Sequence, residues 1–166
     1  MSARFGSAAA FRPTVWMLLR LALLWLVLAA LAHIANEQLD LPARTARVLS
    51  AALSALGIRS GVTGTIVLCG ASSLEIIEEC TGLSFAAALA AFAVAFPARL
   101  RTRLHGAFLL SAFALAWNAL RLIGLAVLMA HAPRIASFVH DVVWQVLTVG
   151  VGVLAAMAWT RRAART

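Results

Sequence analysis

The segment Glu78-Glu79-Cys80-Thr81-Gly82-Leu83 decides how the rest of the chain is interpreted, because an acidic stretch meets a long apolar run there. From Asn36 to this junction the chain is polar enough to leave the bilayer, and the apolar run from Leu83 to Pro97 follows it. An apolar run that begins directly after charged residues predicts a helix that enters a membrane. We therefore expect Cys80 to lie at the edge of a membrane rather than inside it.

The composition identifies the chain as an integral membrane protein. Of its 166 residues, 63% are hydrophobic and 12% are charged, whereas an ordinary soluble domain is about half apolar. The net charge is +8 with no lysine. The arginines stand in short groups beside apolar runs, which is typical of loops that orient membrane helices rather than of a nucleic-acid surface. We expect the lipid bilayer, and no nucleic acid, as a partner.

Four apolar runs predict one all-α membrane domain, residues 1–166, with about four transmembrane helices. The predicted spans are residues 14–35, 83–97, 104–130 and 142–160. The first run is longer than the apolar part of a usual signal peptide, so a retained anchor is expected, although Ala30-Leu31-Ala32 resembles a cleavage site.

The charged residues orient these spans. Arginines without nearby acids flank the runs at three places, and such loops stay on the cytoplasmic side. These groups are Arg4 with Arg12, Arg99 with Arg101 and Arg103, and Arg161 with Arg162 and Arg165. All six acidic residues fall on the other side of this topology. We expect a multi-pass protein of the cytoplasmic (inner) membrane, with both termini inside and a functional site toward the periplasm or exterior.

Residues 36–80 form the predicted extracytoplasmic segment between the first two spans. Polar residues recur at helical spacing in an otherwise apolar run up to Ile58, which predicts a short helix that lies on the membrane surface or packs on the bundle. These residues are Arg44, Arg47, Ser50 and Ser54. Further on, the β-branched run from Val62 to Cys69 and the turn residues from Gly70 to Ser73 predict a small hairpin.

Two other unusual residues, Arg121 and His140, are expected at the level of Cys80. At a rise of about 1.5 Å per residue, Arg121 lies roughly 26 Å along its helix from Leu104, close to the hydrocarbon thickness of about 30 Å. His140 stands at the start of the fourth predicted span, which runs inward from the same interface. Asn118 shares the helical face of Arg121, one turn deeper.

A cysteine, an arginine and a histidine in one layer suit covalent acyl transfer. The thiolate is the reactive form of cysteine, and a neighbouring cation lowers the pKa of the thiol. A guanidinium can hold that thiolate and an oxyanion, while imidazole supplies the proton that a leaving amine needs. Each residue alone has an ordinary explanation, such as packing for cysteine or helix association for asparagine. The histidines and acids do not combine at ligand spacing, so no metal and no other cofactor is expected.

These residues resemble motifs of the exosortase/archaeosortase family of membrane-embedded cysteine transpeptidases. Glu79-Cys80-Thr81-Gly82-Leu83 is similar to its nucleophile motif, Asn118-Ala119-Leu120-Arg121-Leu122 to its Asn-x-x-Arg motif, and His140-Asp141 to the head of its last span. The resemblance covers roughly residues 60 to 160. The chain departs from the family in having Thr81 where serine is common, and fewer spans than many members.

The resemblance implies a cysteine endopeptidase or transpeptidase. In it Cys80 is the nucleophile, His140 the general acid and base, and Arg121 the partner of the thiolate and the oxyanion. The residues expected to support substrate binding are Asn118, Glu79 and Asp141. Substrates would be secreted proteins with a C-terminal sorting signal, which consists of a short motif, a transmembrane helix and a basic tail. The enzyme would form a thioester on Cys80 and pass the protein to an amine acceptor or to water.

Two other functions are compatible with the sequence. A membrane thiol-disulfide oxidoreductase would use Cys69 and Cys80, although such chemistry usually employs a closer Cys-x-x-Cys pair. A non-enzymatic membrane assembly subunit would account for the small residues from Ala86 to Ala91, which favour close helix packing. Neither function gives a role to Arg121 and His140.

Overall fold

The computed structural model describes residues 8–70 and 72–165, and helices make up most of it. The α-helices are α1 (Ala8–Gln38), α2 (Leu41–Ala55), α3 (Leu83–Ala95), α4 (Leu100–His131), α5 (Pro133–Phe138) and α6 (Trp144–Ala163). A 3₁₀ turn, Glu78–Thr81, precedes α3, and a π-helical turn, Val139–Val143, joins α5 to α6. The expected helical architecture is therefore present.

Three helical segments are long and apolar enough to cross a membrane. They are Val15–Gln38, Leu100–His131 and Pro133–Ala163, the last of which combines α5, the π turn and α6. The fourth predicted span, residues 83–97, corresponds to α3, which has 13 residues. At about 1.5 Å per residue α3 is roughly 20 Å long, short of a hydrocarbon layer of about 30 Å. Four spans are therefore not confirmed.

The length of α3 is set by one residue at each of its ends. Gly82, with a φ of +78°, lies in the left-handed region and separates the 3₁₀ turn from the helix. Phe96 is extended, with φ −63° and ψ +139°, because the following Pro97 disfavours a helical conformation in the residue before it. Between these ends α3 packs against both α1 and α4, so its alanines face protein; Ala91 and Ala93 are fully buried.

The third and fourth predicted spans lie inside longer helical segments. α4 adds a turn ahead of residue 104. The segment that contains residues 142–160 begins at Pro133, since proline suits the first turn of a helix, where no N–H bond is required. Because the segment begins at Pro133, His140 does not lie ahead of the helix, where the sequence predicted it. It lies within it, on the π-helical turn.

A three-stranded antiparallel sheet follows α2. Its strands pair in the order β1 (Ser60–Thr63), β2 (Ile66–Cys69) and β3 (Ser72–Glu75). The predicted hairpin is present as the pair of β2 and β3, beside a turn at Gly70. An additional strand arises because Gly64, with a φ of +61°, turns the chain inside the β-branched run, so that Val62 pairs with Val67.

A buried core joins α2, the sheet, the 3₁₀ turn and the second half of α4. Its side chains include Leu49, Leu53, Val67, Cys69, Ile76, Cys80, Leu122 and Ala126. Full burial of a leucine- or isoleucine-sized side chain contributes about 1.5–3 kcal/mol. The helix predicted from the polar spacing is α2, and it packs on the protein through this core. The core seats the turn that carries Cys80 against α4.

Candidate active site

Cys80 lies on the 3₁₀ turn and is only 3% exposed. Local hydrogen bonds define the turn: Thr81 Oγ1 donates to the Glu78 carbonyl at 2.8 Å, and the Cys80 N–H donates to the Ile77 carbonyl at 3.0 Å. The left-handed Gly82 then directs the chain into α3. The turn thus presents Cys80 to the core beneath it.

Asn118 of α4 holds the backbone of this turn. Its Nδ2 donates to the Cys80 carbonyl at 2.7 Å, and its side chain is 6% exposed. Gly82 makes this approach possible, because a Cβ at Gly82 would lie 2.8 Å from Asn118 Cβ. Asn118 and Gly82 therefore set the distance between the turn and α4.

Arg121 and His140 meet across α4 and the π-helical turn. Arg121 Nη2 lies 3.4 Å from His140 Nε2. Because arginine has only donors, His140 Nε2 accepts, and the ring is assigned as neutral with its proton on Nδ1. This Nδ1–H donates to Asp141 Oδ1 at 2.9 Å. Asp141 therefore orients the imidazole and fixes its tautomer.

The π-helical turn, Val139–Val143, carries both His140 and Asp141. Single π turns inside α-helices insert a residue and occur frequently at functional sites. The side chain of His140 is 33% exposed and that of Asp141 is 70% exposed. Arg121 is half-buried, and its Nε has no acceptor in the part of the chain that the structure describes. Arg121 therefore retains an unused donor beside the imidazole.

The structure brings the predicted residues together as two pairs on one helix. Asn118 contacts the Cys80 turn and Arg121 contacts His140, and residues at this spacing share one face of α4. Within residues 8–70 and 72–165, the Cys80 thiol forms no hydrogen bond to Arg121 or His140. The catalytic roles of these side chains stay predictions.

Glu79 and Glu78 differ in their surroundings. Glu79, which was expected to help bind substrate, is exposed and has no hydrogen bond or ion pair to any residue that the structure describes. Glu78 Oε1, in contrast, accepts from His33 Nδ1 at 2.7 Å and from Asn36 Nδ2 at 3.1 Å. The bond from His33, followed by that from Asn36, holds the pKa of Glu78 below its usual range.

Sequence reasoning missed this contact between α1 and the turn. Asn36 is 2% exposed, so its side chain is buried against Glu78 rather than in lipid. The available signal was that His33 and Asn36 are polar, lie about one helical turn apart and end the first apolar run. Their partner could not be inferred, because Glu78 lies 45 positions after His33 and 42 positions after Asn36.

The second cysteine, Cys69, lies on β2 and is fully buried. Burial raises the pKa of its thiol, which disfavours the reactive thiolate. Both cysteines are free, and they share the core that joins the sheet to α4. Cys69 is therefore placed as a packing residue.

The transmembrane exosortase family model matches residues 4–163. The match extends beyond residues 60–160, to which the motif resemblance applied, and it includes α1 and every candidate site residue. Neither the curated proteins nor the solved structures yield a match. Because the match spans nearly all of the 166 residues, the chain belongs to the transmembrane exosortase family.

Proposed function

We propose that this protein cleaves the C-terminal sorting signals of secreted proteins through a thioester on Cys80, and transfers the product to an amine acceptor or to water. Family membership supports a membrane protease or transpeptidase. One observation carries the finer proposal: a single face of α4 holds the Cys80 turn through Asn118 and the His140–Asp141 pair through Arg121.

The first step uses the tautomer described above. The unprotonated Nε2 of His140 accepts the proton of the Cys80 thiol, and the resulting thiolate attacks the scissile carbonyl carbon. Asp141 stabilises the imidazolium that forms. Arg121 leaves Nε2 as the substrate enters, and its guanidinium then stabilises the oxyanion of the tetrahedral intermediate.

The second half of the reaction returns the proton. Imidazolium Nε2–H protonates the leaving amine, the C–N bond breaks, and the N-terminal part of the substrate remains as a thioester on Cys80. An amine or a water molecule then attacks the thioester carbonyl. His140 Nε2 takes the proton of this nucleophile and returns it to the departing Cys80 sulfur, which completes the cycle without any redox change.

The burial of Cys80 adds a requirement to this mechanism. Because Cys80 as a residue is only 3% exposed, its thiol reacts with a polypeptide only after the 3₁₀ turn moves away from α4. The contacts that resist this movement are those of Asn118 and of the His33–Glu78 bond. Substrate binding must therefore displace or outweigh them.

The topology that we propose retains four crossings, with α3 as a short one. Ser111 Oγ donates to the Ala86 carbonyl at 3.4 Å, and Arg103 Nη1 donates to the Val94 carbonyl at 3.2 Å, so α3 runs antiparallel along α4. Together with the Asn118 contact, these bonds follow α4 from Arg103 to Asn118, about 22 Å. The acidic end would face the periplasm or exterior, and the arginine-rich end the cytoplasm. The Glu78 contact favours a retained α1.

Intact-mass analysis tests the proposed function. Full-length protein in detergent is incubated with peptides that contain a short motif, an apolar helix and a basic tail. We expect an acyl adduct on the wild-type protein and on Cys69→Ala, and none on Cys80→Ala or His140→Ala. Cleavage that persists at the wild-type rate in Cys80→Ala overturns the proposal. Loss of the adduct in Cys69→Ala but not in Cys80→Ala would instead assign the chemistry to the other thiol.

A further inference from the structure

A long groove lies between α4 and α6, toward the end of the bundle opposite the Cys80 turn. Its volume is about 1050 Å³, and it is open along one side. Trp159 lines it and packs over Gly106, where any side chain would collide with the indole. The ring of Trp159 also contacts Phe96, with centroids 5.2 Å apart. The groove is thus built on a well-packed aromatic base.

The groove is polar at one end and apolar along the rest of its length. The polar groups are Arg101, Thr102 and His105 from α4 and Arg162 from α6. The remaining lining residues are apolar and extend to Phe113 on α4. From Arg101 to Phe113 the helix rises about 18 Å, compared with about 15 Å for half of a bilayer's hydrocarbon core. These dimensions match one leaflet, with the polar end at the headgroups.

The polar end of the groove is strongly basic. Arg101 and Arg162 are exposed, and neither has an ion pair with a residue in the described part of the chain. The sequence contains no acidic residue from position 80 to 140 or after 141. The charge at this end therefore has no compensation from neighbouring acidic side chains, and an anionic ligand would balance it.

We propose that the groove binds an anionic phospholipid, with the phosphate at Arg101 and Arg162 and an acyl chain along the apolar walls. Basic pockets between transmembrane helices bind anionic headgroups in this manner, and a guanidinium matches phosphate geometry with two donors. The basic end of the groove lies about 25 Å along α4 from Asn118, and no lining residue belongs to the proposed catalytic set, so this binding does not depend on the proposed enzymatic function.

Charge argues against a transmembrane helix with a basic tail as the occupant. Such a tail would lie beside Arg101 and Arg162 and would bring cations together at the surface of the membrane. A zwitterionic lipid would fill the apolar walls but would leave the two guanidinium groups only partly compensated. An anionic phospholipid would contact the apolar walls with its acyl chain and balance the two guanidinium charges with its phosphate.

A bound lipid would also complete the packing of α6 on α4. Above the groove the two helices are joined by the Trp117 Nε1 bond to Thr148 Oγ1 at 3.1 Å and by the Trp117–Trp144 ring contact at 5.9 Å. An acyl chain would extend this contact toward the arginine-rich end. The lipid would then support the same helix that begins beside His140.

Native mass spectrometry of the full-length protein tests the proposal. Phosphatidylglycerol and phosphatidylcholine with identical acyl chains are titrated against the wild type, the double variant Arg101→Gln/Arg162→Gln, and the control Arg161→Gln/Arg165→Gln. The control removes the same charge from exposed positions that do not line the groove. We expect the first double variant to bind phosphatidylglycerol at least about tenfold more weakly, and the control to bind it as the wild type does.

A third variant, Ala158→Phe, narrows the groove without changing its charge, and is expected to weaken binding of phosphatidylglycerol as well. Equal affinity of the wild type for the two lipids, or equal loss in the two arginine variants, overturns the proposal. So does a photo-crosslinker at position 109 that captures a second copy of the chain or a substrate helix in the presence of phosphatidylglycerol. Circular dichroism of each variant establishes that the helices remain folded.

Discussion

Replacing Asn118 by alanine should free the turn that carries Cys80. In the native protein, Asn118 Nδ2 donates to the Cys80 carbonyl at 2.7 Å, and the amide is 6% exposed. Alanine removes the donor and leaves this carbonyl without its partner. Loss of one member of a buried hydrogen bond, including bonds between membrane helices, costs about 1–2 kcal/mol. The turn should therefore open more often by a factor of about 5–30.

The assay is the rate at which N-ethylmaleimide modifies Cys80, followed by intact mass in a Cys69→Ala background. Because Cys80 is only 3% exposed, modification of its thiol requires opening of the turn. We expect Asn118→Ala to label about 5- to 30-fold faster than the parent, even though its acyl-transfer activity falls. Faster labelling with lower activity would separate a positioning role from a simple loss of nucleophilicity.

Ser111→Ala is the matched control for this experiment. Ser111 also donates from α4 to a backbone carbonyl, that of Ala86, but at 3.4 Å and well away from the turn. Its loss should leave the labelling rate of Cys80 unchanged. An Asn118→Ala protein that labels at the parental rate would refute the inference that this bond holds the turn closed.

Three other substitutions test contacts of the Cys80 turn and of the π-helical turn. Gly82→Ala should lower the melting temperature, because its φ of +78° is strained for alanine and the new methyl group would press on Asn118; Gly64→Ala, which meets open space, should cost less. Asp141→Asn should slow acyl transfer at least about tenfold, because the amide lacks the negative charge that stabilises the imidazolium of His140 and holds its tautomer, whereas Glu75→Gln should not, and equal rates would disprove this role. The pKa of Glu78 is lowered from its ordinary 4.5 by the bond from His33, so its stabilising contribution is present above pH 4.5 and is lost as the pH falls through the folded-state pKa. The melting temperature, measured as a function of pH, should therefore fall more steeply in acid for the wild type than for Glu78→Gln. Parallel pH dependences of the two proteins would exclude this linkage.

Much of the membrane architecture could be predicted from hydrophobic runs. α1 and α4 were expected close to their observed positions, because a long apolar segment has few ways to satisfy its backbone other than a helix. The predicted span 83–97 and α3 begin at the same residue, and α3 ends two residues earlier, at Ala95. Apolar composition does not distinguish a helix buried among other helices from one that faces lipid, so the packing of α3 between α1 and α4 could not be predicted from it.

The candidate site could be predicted in part for a similar reason. The spacing of Asn118 and Arg121 is local, so their shared helical face follows from the sequence. The link from His33 and Asn36 to Glu78 joins α1 to a turn far along the chain. Nothing in the local pattern of either segment identifies its partner.

The sequence by itself determined the membrane class, the family motifs and the helix face that carries Asn118 and Arg121. These features depend on composition and on contacts within one turn of helix. Only the tertiary structure decided that Asn118 donates a hydrogen bond to the Cys80 carbonyl, that a π-helical turn brings His140 to Arg121, and that a groove lies between α4 and α6. Such contacts depend on how helices distant in sequence pack, because packing sets which side chains come within hydrogen-bonding distance.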